Sequence, residues 1–285
     1  MPHLGPSGIL GALDFGHSRR FATREARRFA GDLYPGPVLM PRGLLRALDP
    51  LLAVALGPAR RRSEVFQASW EGMLRGRPDG PLLLVAWESA AAGELRHADL
   101  RRLLELFPDP PPTEPATREE LLGWLRPRVR VMARLTLSLA QRPDALPAAE
   151  DLGCGLVLTR ILVGLGPALA RGRVPLPAAD LEAAGVSREE LLRMVPTPAV
   201  RRLLDRECDA VEHLIASGLP VCDQVGARLR RGLRAAALRA RLLLGRFRDP
   251  DYDPLRRAPT LTAGERWRCA VRAWRPLAPP PPGRP

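Results

Sequence analysis

Three observations predict an all-α protein. Alternating runs of Val, Ile, Thr and Tyr, the mark of half-buried strands, hardly occur in the 285 residues. Leu, Ala and Arg, which favour helices, abound instead. Apolar residues also return at three- and four-residue spacings, as in Leu229, Leu233, Ala236, Ala237, Ala240, Leu244 and Phe247. A chain of this length can bury one full core, so a single large helical domain is expected.

The formal charge of +13 and the pI near 11.2 point first to a polyanionic partner. All 44 basic residues are arginine, however, and proline reaches 32. Enrichment in Arg, Ala, Gly and Pro together reads as a GC-rich coding bias, which weakens the charge as evidence for nucleic acid. No nucleic-acid motif is present, and the 5% aromatic content offers few platforms for stacking bases. A Ser/His/Asp or Cys/His hydrolase has no supporting signature.

Cys154, Cys208, Cys222 and Cys269 form no C-x-x-C and no ligand spacing with His3, His17, His97 or His213. They read as small buried residues in a reducing compartment. The N-terminus lacks an apolar signal core, and no apolar run approaches the ~20 residues that span a bilayer. The expected location is cytoplasmic, with a peripheral seat on the inner face of the membrane left open.

Taken in order, residues 1–14 read as a flexible N-terminus rich in glycine and proline. Ser18 reads as an N-cap before Arg19. Asp49-Pro50 starts a helix that Gly57-Pro58 ends. Helical patterns follow around Val65 to Leu74 and from Leu82 to Leu106, interrupted near Gly93, with Trp70 and Trp87 as core. After the proline-rich loop 108–117, Thr117 and Glu120 form a capping box that opens a long helix with Pro127 inside it. A helix from Thr197 to Ser217 is expected to end at Gly218, and a longer one to run from Asp223 to about Arg248. The longer helix shows Arg230, Arg234, Arg241 and Arg248 on a face of its own, turned to water or to an anionic membrane. Residues 276–285 are a proline-rich disordered tail.

The stretch from Glu150 to Leu192, EDLGCGLVLTRILVGLGPALARGRVPLPAADLEAAGVSREELL, is the most specific. It opens with Leu152, Leu156, Val157, Leu158, Ile161, Leu162 and Val163, apolar on almost every side, as in a helix inside a bundle. Gly164, Gly166 and Pro167 then predict a break. The turn RGRVPLP leads to a short helix stopped by Gly185, and Ser187 with Glu190 forms a second capping box. This succession resembles the squalene and phytoene synthases, through Leu152, Gly153, Leu156, Leu158, Thr159, Ile161, Leu162, Arg171, Gly172, Arg173, Leu176, Pro177, Leu181, Gly185, Val186 and Ser187. The resemblance extends to Ser18, Arg19, Phe21 and Pro41 near the start and to Tyr252, Asp253, Leu255, Arg256 and Arg257 near the end. It implies an isoprenoid-synthase-like helical bundle around a central apolar cavity, over residues 15–275.

That family carries two Asp-x-x-x-Asp motifs. Carboxylates four residues apart share a helix face and there hold Mg²⁺ against a diphosphate. In this chain the first motif falls on Ala59, Arg60 and Ser63, and the second on Gly164 and Ala168, with Val157 and Arg160 where the pattern has Gln and Asn. No cofactor is therefore expected: the family uses Mg²⁺, and its ligands are absent. The resemblance implies diphosphate contacts at Ser18 and Arg19. Arg60, Arg61, Arg62, Arg160, Arg171 and Arg173 would line the same mouth, where guanidinium groups can hold an anion without metal. A solvated basic turn explains the same arginines and stays open.

Two functions follow. One is a divergent family protein that binds an isoprenyl diphosphate or related lipid but is impaired in Mg-dependent condensation, with a scaffold, lipid-binding or assembly role. The other is an active prenyltransferase of isoprenoid or carotenoid biosynthesis that uses arginine for the diphosphate. The expected partners are the isoprenyl diphosphate or lipid, a membrane surface and a paralogous intact synthase, and no nucleic acid.

Overall fold

The computed structural model describes residues 20, 23–24, 64–78, 81–91, 97–106, 112–140 and 142–277. The described residues form helices and no strand. In chain order these are α1 (Glu64–Leu74), α2 (Pro81–Ala91), α3 (His97–Leu106), α4 (Arg118–Leu139), α5 (Leu146–Val163), α6 (Leu165–Leu169), α7 (Ala178–Ala184), α8 (Arg188–Leu192), α9 (Pro198–Gly218), α10 (Val221–Gln224), α11 (Ala227–Phe247) and α12 (Ala263–Arg272). The expected residues 1–14 and most of the proline-rich tail lie outside the described residues, as do Asp49-Pro50 and Gly57-Pro58.

The centre of the bundle is α5, which packs against α4, α9 and α11. Leu125 and Leu135 of α4, Leu152, Leu158 and Leu162 of α5, Leu203 and Ile215 of α9, and Leu244 and Phe247 of α11 share one core. Two glycines set the separation of α5 and α9. A Cβ on Gly155 would stand 3.0 Å from the Ile215 backbone nitrogen, and one on Gly218 only 2.2 Å from that of Leu152. The helix ends at Gly218, as its sequence context suggests, but the glycine has a second role there. Its missing side chain lets the two backbones touch. The apolar sequence of α5 is also not uniformly buried: Leu156, Val157, Arg160 and Ile161 form a half-buried side.

α4 runs unbroken through Pro127. Proline offers no N–H to the Gly123 carbonyl, and its ring crowds the preceding turn. Arg128 serves that turn: its guanidinium donates to the Trp124 carbonyl at 2.6 Å and to the Leu106 carbonyl, and lies 4.3 Å from the centre of the Trp124 ring.

The capping boxes form in part. Thr117 Oγ1 accepts from Glu120 N–H, but the Glu120 carboxylate accepts from Ala116 N–H at 2.6 Å and not from the Thr117 backbone. Ser187 Oγ accepts from Glu190 N–H, and Glu190 accepts from the Thr197 hydroxyl at 2.7 Å, which ties α8 to the N-cap of α9. Gly185 ends α7 in the left-handed region at φ 68°, as its position predicts.

The helix expected from Asp223 is divided. Val225 is extended and Gly226 caps α11, so Asp223 belongs to α10. The supposed free basic face of α11 is also taken up within the protein. Arg234 is buried against Asp223 at 2.8 Å, and Arg230 donates to the Cys222 and Val225 carbonyls. Arg248, just beyond α11, holds Asp209 and Glu212. Closing the α10–α11 corner leaves carbonyls that only long donors can reach, and arginine supplies them.

The four cysteines are buried, free thiols. Burial pushes the Cys154 thiol up to about 12 and that of Cys222 up to about 11, and it raises Cys208 and Cys269 as well. They remain thiols at neutral pH and serve as packing.

α12 lies antiparallel on α11, joined by Arg246 to Glu265 at 2.7 Å and by Ala235 packed with Ala273. Thr262 and Glu265 form a complete capping box at its start. The Thr262 N–H, then its hydroxyl and Arg246, hold the Glu265 carboxyl below its ordinary value of 4.5. A group depressed by folding stabilises above its unfolded value, and that contribution is lost as pH falls through the folded one. Glu265→Gln is accordingly expected to cost about 1 kcal/mol at neutral pH and to give a shallower loss of stability on acidification. Urea unfolding across pH checks this, and an acid limb identical to wild type would take Glu265 out of it.

Candidate functional site

α5 and α6 are one helix with a break. Gly164 N–H still donates to the Arg160 carbonyl and Ala168 N–H to the Gly164 carbonyl, both at 3.1 Å. Between them Gly164 takes φ −86° and ψ 3°, and Pro167 has no N–H for the Val163 carbonyl. The break expected from the glycines and proline is present. Its partner is 89 residues downstream of Gly166: a Cβ on Gly166 would stand 2.0 Å from the Leu255 carbonyl oxygen, so α6 rests directly on the turn at Asp253–Leu255. Asp253 Oδ1 shapes that turn by accepting from the N–H groups of Leu255 and Arg256.

At about 100° per residue, Val157, Arg160, Gly164 and Ala168 fall within an arc of about 80° on this interrupted helix. They are the positions at which the squalene and phytoene synthase pattern places its second motif. Val157, Arg160 and Gly164 are half-buried and Ala168 is buried. An isopropyl group, a guanidinium, a hydrogen and a methyl group offer no hard oxygen to Mg²⁺, so these residues do not fit that ion. Among the described residues no group of His, Cys, Asp and Glu is arranged to hold a metal. Ser18, Arg19, Ala59, Arg60, Arg61, Arg62 and Ser63 lie outside the described residues.

Arg171 and Arg173 come together on one turn after α6. The N–H groups of both donate to the Ala168 carbonyl, and Gly172 between them takes φ 71°, which only glycine adopts without strain. Arg188, at the start of α8, donates to the Gly172 carbonyl at 3.0 Å and holds Glu114 at 2.6 Å. Both Arg171 and Arg173 are exposed, and neither has a carboxylate partner among the described residues. Such a turn presents two guanidinium groups to an anion from solution. Arg160 stands apart, on α5, with α6 between it and the turn.

Two residues gave no functional signal in the sequence. Arg188 reads only as the first residue of a capped helix, yet it braces the Arg171–Arg173 turn. Asp99, in the first turn of α3, reads as an acid favoured at a helix N-terminus. In the structure it is buried, 3.6 Å from Arg134, and its Oδ2 accepts no hydrogen bond.

The sequence profile of the squalene/phytoene synthase family matches residues 36–275. A phytoene synthase from Thermus thermophilus is 31% identical over 259 residues, which cover 85% of this chain and 88% of that protein. Among solved structures, a dehydrosqualene synthase in complex with a ligand superposes with a TM-score of 0.77 at 17% identity, over 91% of this chain and 96% of that one. A squalene synthase from Alicyclobacillus acidocaldarius gives 0.68 at 20% identity, over 84% and 96%. These two likenesses show the shared helical fold. Together with the profile match over most of the chain, the Thermus relative places the protein plainly: it belongs to the squalene/phytoene synthase family.

Proposed function

We propose that this chain is a divergent prenyltransferase-family protein that binds an isoprenyl diphosphate or a related lipid and is impaired in Mg²⁺-dependent condensation. The supporting observation is the α5–α6 stripe. Ionising a prenyl diphosphate requires several units of negative charge on the leaving group to be neutralised. Val157, Gly164 and Ala168 supply no carboxylate to hold a cation there, and the stripe offers Arg160 as its charged group. Arg171 and Arg173 extend this into anion binding by direct guanidinium contact. A lipid-binding, scaffold or assembly role beside an intact synthase follows from binding without turnover.

A second reading, an active enzyme of isoprenoid or carotenoid biosynthesis with an arginine-held diphosphate, is favoured by the likeness to the Thermus phytoene synthase over 88% of that protein. Incubating the purified chain with farnesyl or geranylgeranyl diphosphate, with and without Mg²⁺, separates the two. The expected result is saturable binding that does not need the metal, weakened about tenfold by Arg171→Ala with Arg173→Ala, without release of diphosphate. Metal-dependent diphosphate release would overturn the proposal and establish the second reading.

A further inference from the structure

α12 and the turn that follows it carry the most exposed large apolar side chains among the described residues. Trp267 and Trp274 keep about two-thirds of their surface in solvent, at 68% and 67%, and Val271 keeps 49%. At about 100° per residue the three fall within an arc of about 60°, directly opposite Glu265, Cys269 and Ala273, which face α11. Leu242 of α11, 42% exposed, lies one turn from Leu238, which, like Ala270, packs against the Ala235–Ala273 contact. Scattered exposed apolar groups are ordinary, whereas two tryptophans and a valine in register on one face are a surface with a preferred partner.

The flanks identify that partner. Arg268, Arg272 and Arg275 border the stripe on one side and Arg266 on the other, all exposed. Arg231 of α11 lies 3.9 Å from the centre of the Trp274 ring. Glu265 is the acidic residue of α12, and it is buried in the capping box with Arg246. A second copy docking here through a two-fold axis would set these arginines against their own counterparts. An anionic lipid surface pairs with them, while tryptophan rings settle at the boundary between headgroups and acyl chains. No described helix is long and apolar enough to cross a membrane, so contact through this face is peripheral.

We infer that α12 docks the protein on an anionic membrane surface, with Trp267, Val271 and Trp274 entering the headgroup layer and the surrounding arginines holding lipid phosphates. The inference stands apart from the fate of any isoprenyl diphosphate, because plain phospholipid vesicles test it. The full chain is sedimented with vesicles of phosphatidylcholine alone and of phosphatidylcholine mixed with phosphatidylglycerol, while tryptophan emission is followed. Binding to the mixed vesicles alone is expected, with a blue shift, and release at about 1 M salt, where the Debye length falls to about 3 Å. Trp267→Ala with Trp274→Ala is expected to weaken it about tenfold or more. Arg268→Glu with Arg272→Glu, at exposed positions, is a second variant expected to abolish the preference for phosphatidylglycerol. The inference is overturned by failure to bind the mixed vesicles, or by unchanged binding in both variants. Self-association that the tryptophan variant removes, or tryptophan-dependent binding of a single-stranded oligonucleotide without vesicle binding, would overturn it too.

Discussion

Gly218→Ala is expected to destabilise the protein by about 3 kcal/mol or more, although in an open helix the same change stabilises by about 1 kcal/mol. The reversal comes from what the added methyl group meets. It would stand 2.2 Å from the Leu152 nitrogen and 2.5 Å from the Leu152 Cα, and these backbone atoms of the central helix cannot rotate aside as a side chain can. α9 would have to move away from α5, opening the core around Leu152, Cys208 and Ile215. Gly245→Ala, in α11, is the matched control, because a Cβ there meets nothing within 4 Å, and it is expected to stabilise by about 0.5–1 kcal/mol. Urea midpoints for the two variants should therefore move in opposite directions at similar m-values. A shift of the same sign in both would remove the close α5–α9 approach from the account of stability.

Arg118→Ala carries the second large effect, about 3–5 kcal/mol at neutral pH. Arg118 opens α4 and donates to Asp180 of α7 at 2.7 Å and to Glu207 of α9 at 2.9 and 3.2 Å. It thereby ties the segment after the Arg171–Arg173 turn to the bundle. Glu207 is 3% exposed, so removing the arginine leaves a carboxylate in the interior without its cation. Burial already pushes the Glu207 carboxyl above its ordinary value of 4.5, against the pull of Arg118. Without Arg118 it rises further. Between 4.5 and that raised value the folded protein holds a proton that the unfolded chain has released, so stability falls as pH rises through the window. The deficit of the variant relative to wild type is thus expected to shrink on acidification towards about pH 4.5. Arg118→Met with Glu207→Leu should recover most of the loss, since it removes both charges and fills the space. A deficit independent of pH, with no recovery in the double variant, would show that Arg118 acts through packing alone.

Local features of the sequence carried well into the structure because they depend on residues within about one helical turn. Thr117, Ser187 and Thr197 cap the helices that follow them, Gly185 ends α7, and α4 starts at Arg118 and runs through Pro127. The break at Gly164 was legible for the same reason, as was the loss of carboxylates from the second motif, which needs only the register of one helix. Gly218 ends α9 as expected, but its contact with the Leu152 backbone was not legible, because a glycine that only ends a helix and one that also admits a neighbouring backbone look alike in sequence. Arg234 was misread as a solvent-facing cation because its partner, Asp223, was assigned to the same helix when it sits across the α10–α11 corner.

The sequence alone determined the helical class, the family and the absence of metal-binding side chains on the α5–α6 stripe, since each is a property of residue type and short-range spacing. Only the tertiary structure decided which arginines are consumed inside the protein and which stand at the Arg171–Arg173 turn or around Trp267 and Trp274. Amphipathic patterns mark a face without saying what covers it: α11 buries arginine against a neighbouring corner, whereas α12 leaves tryptophan in water. That choice depends on how distant helices meet, and it is fixed by close approaches such as Gly166 on Leu255 and Gly218 on Leu152.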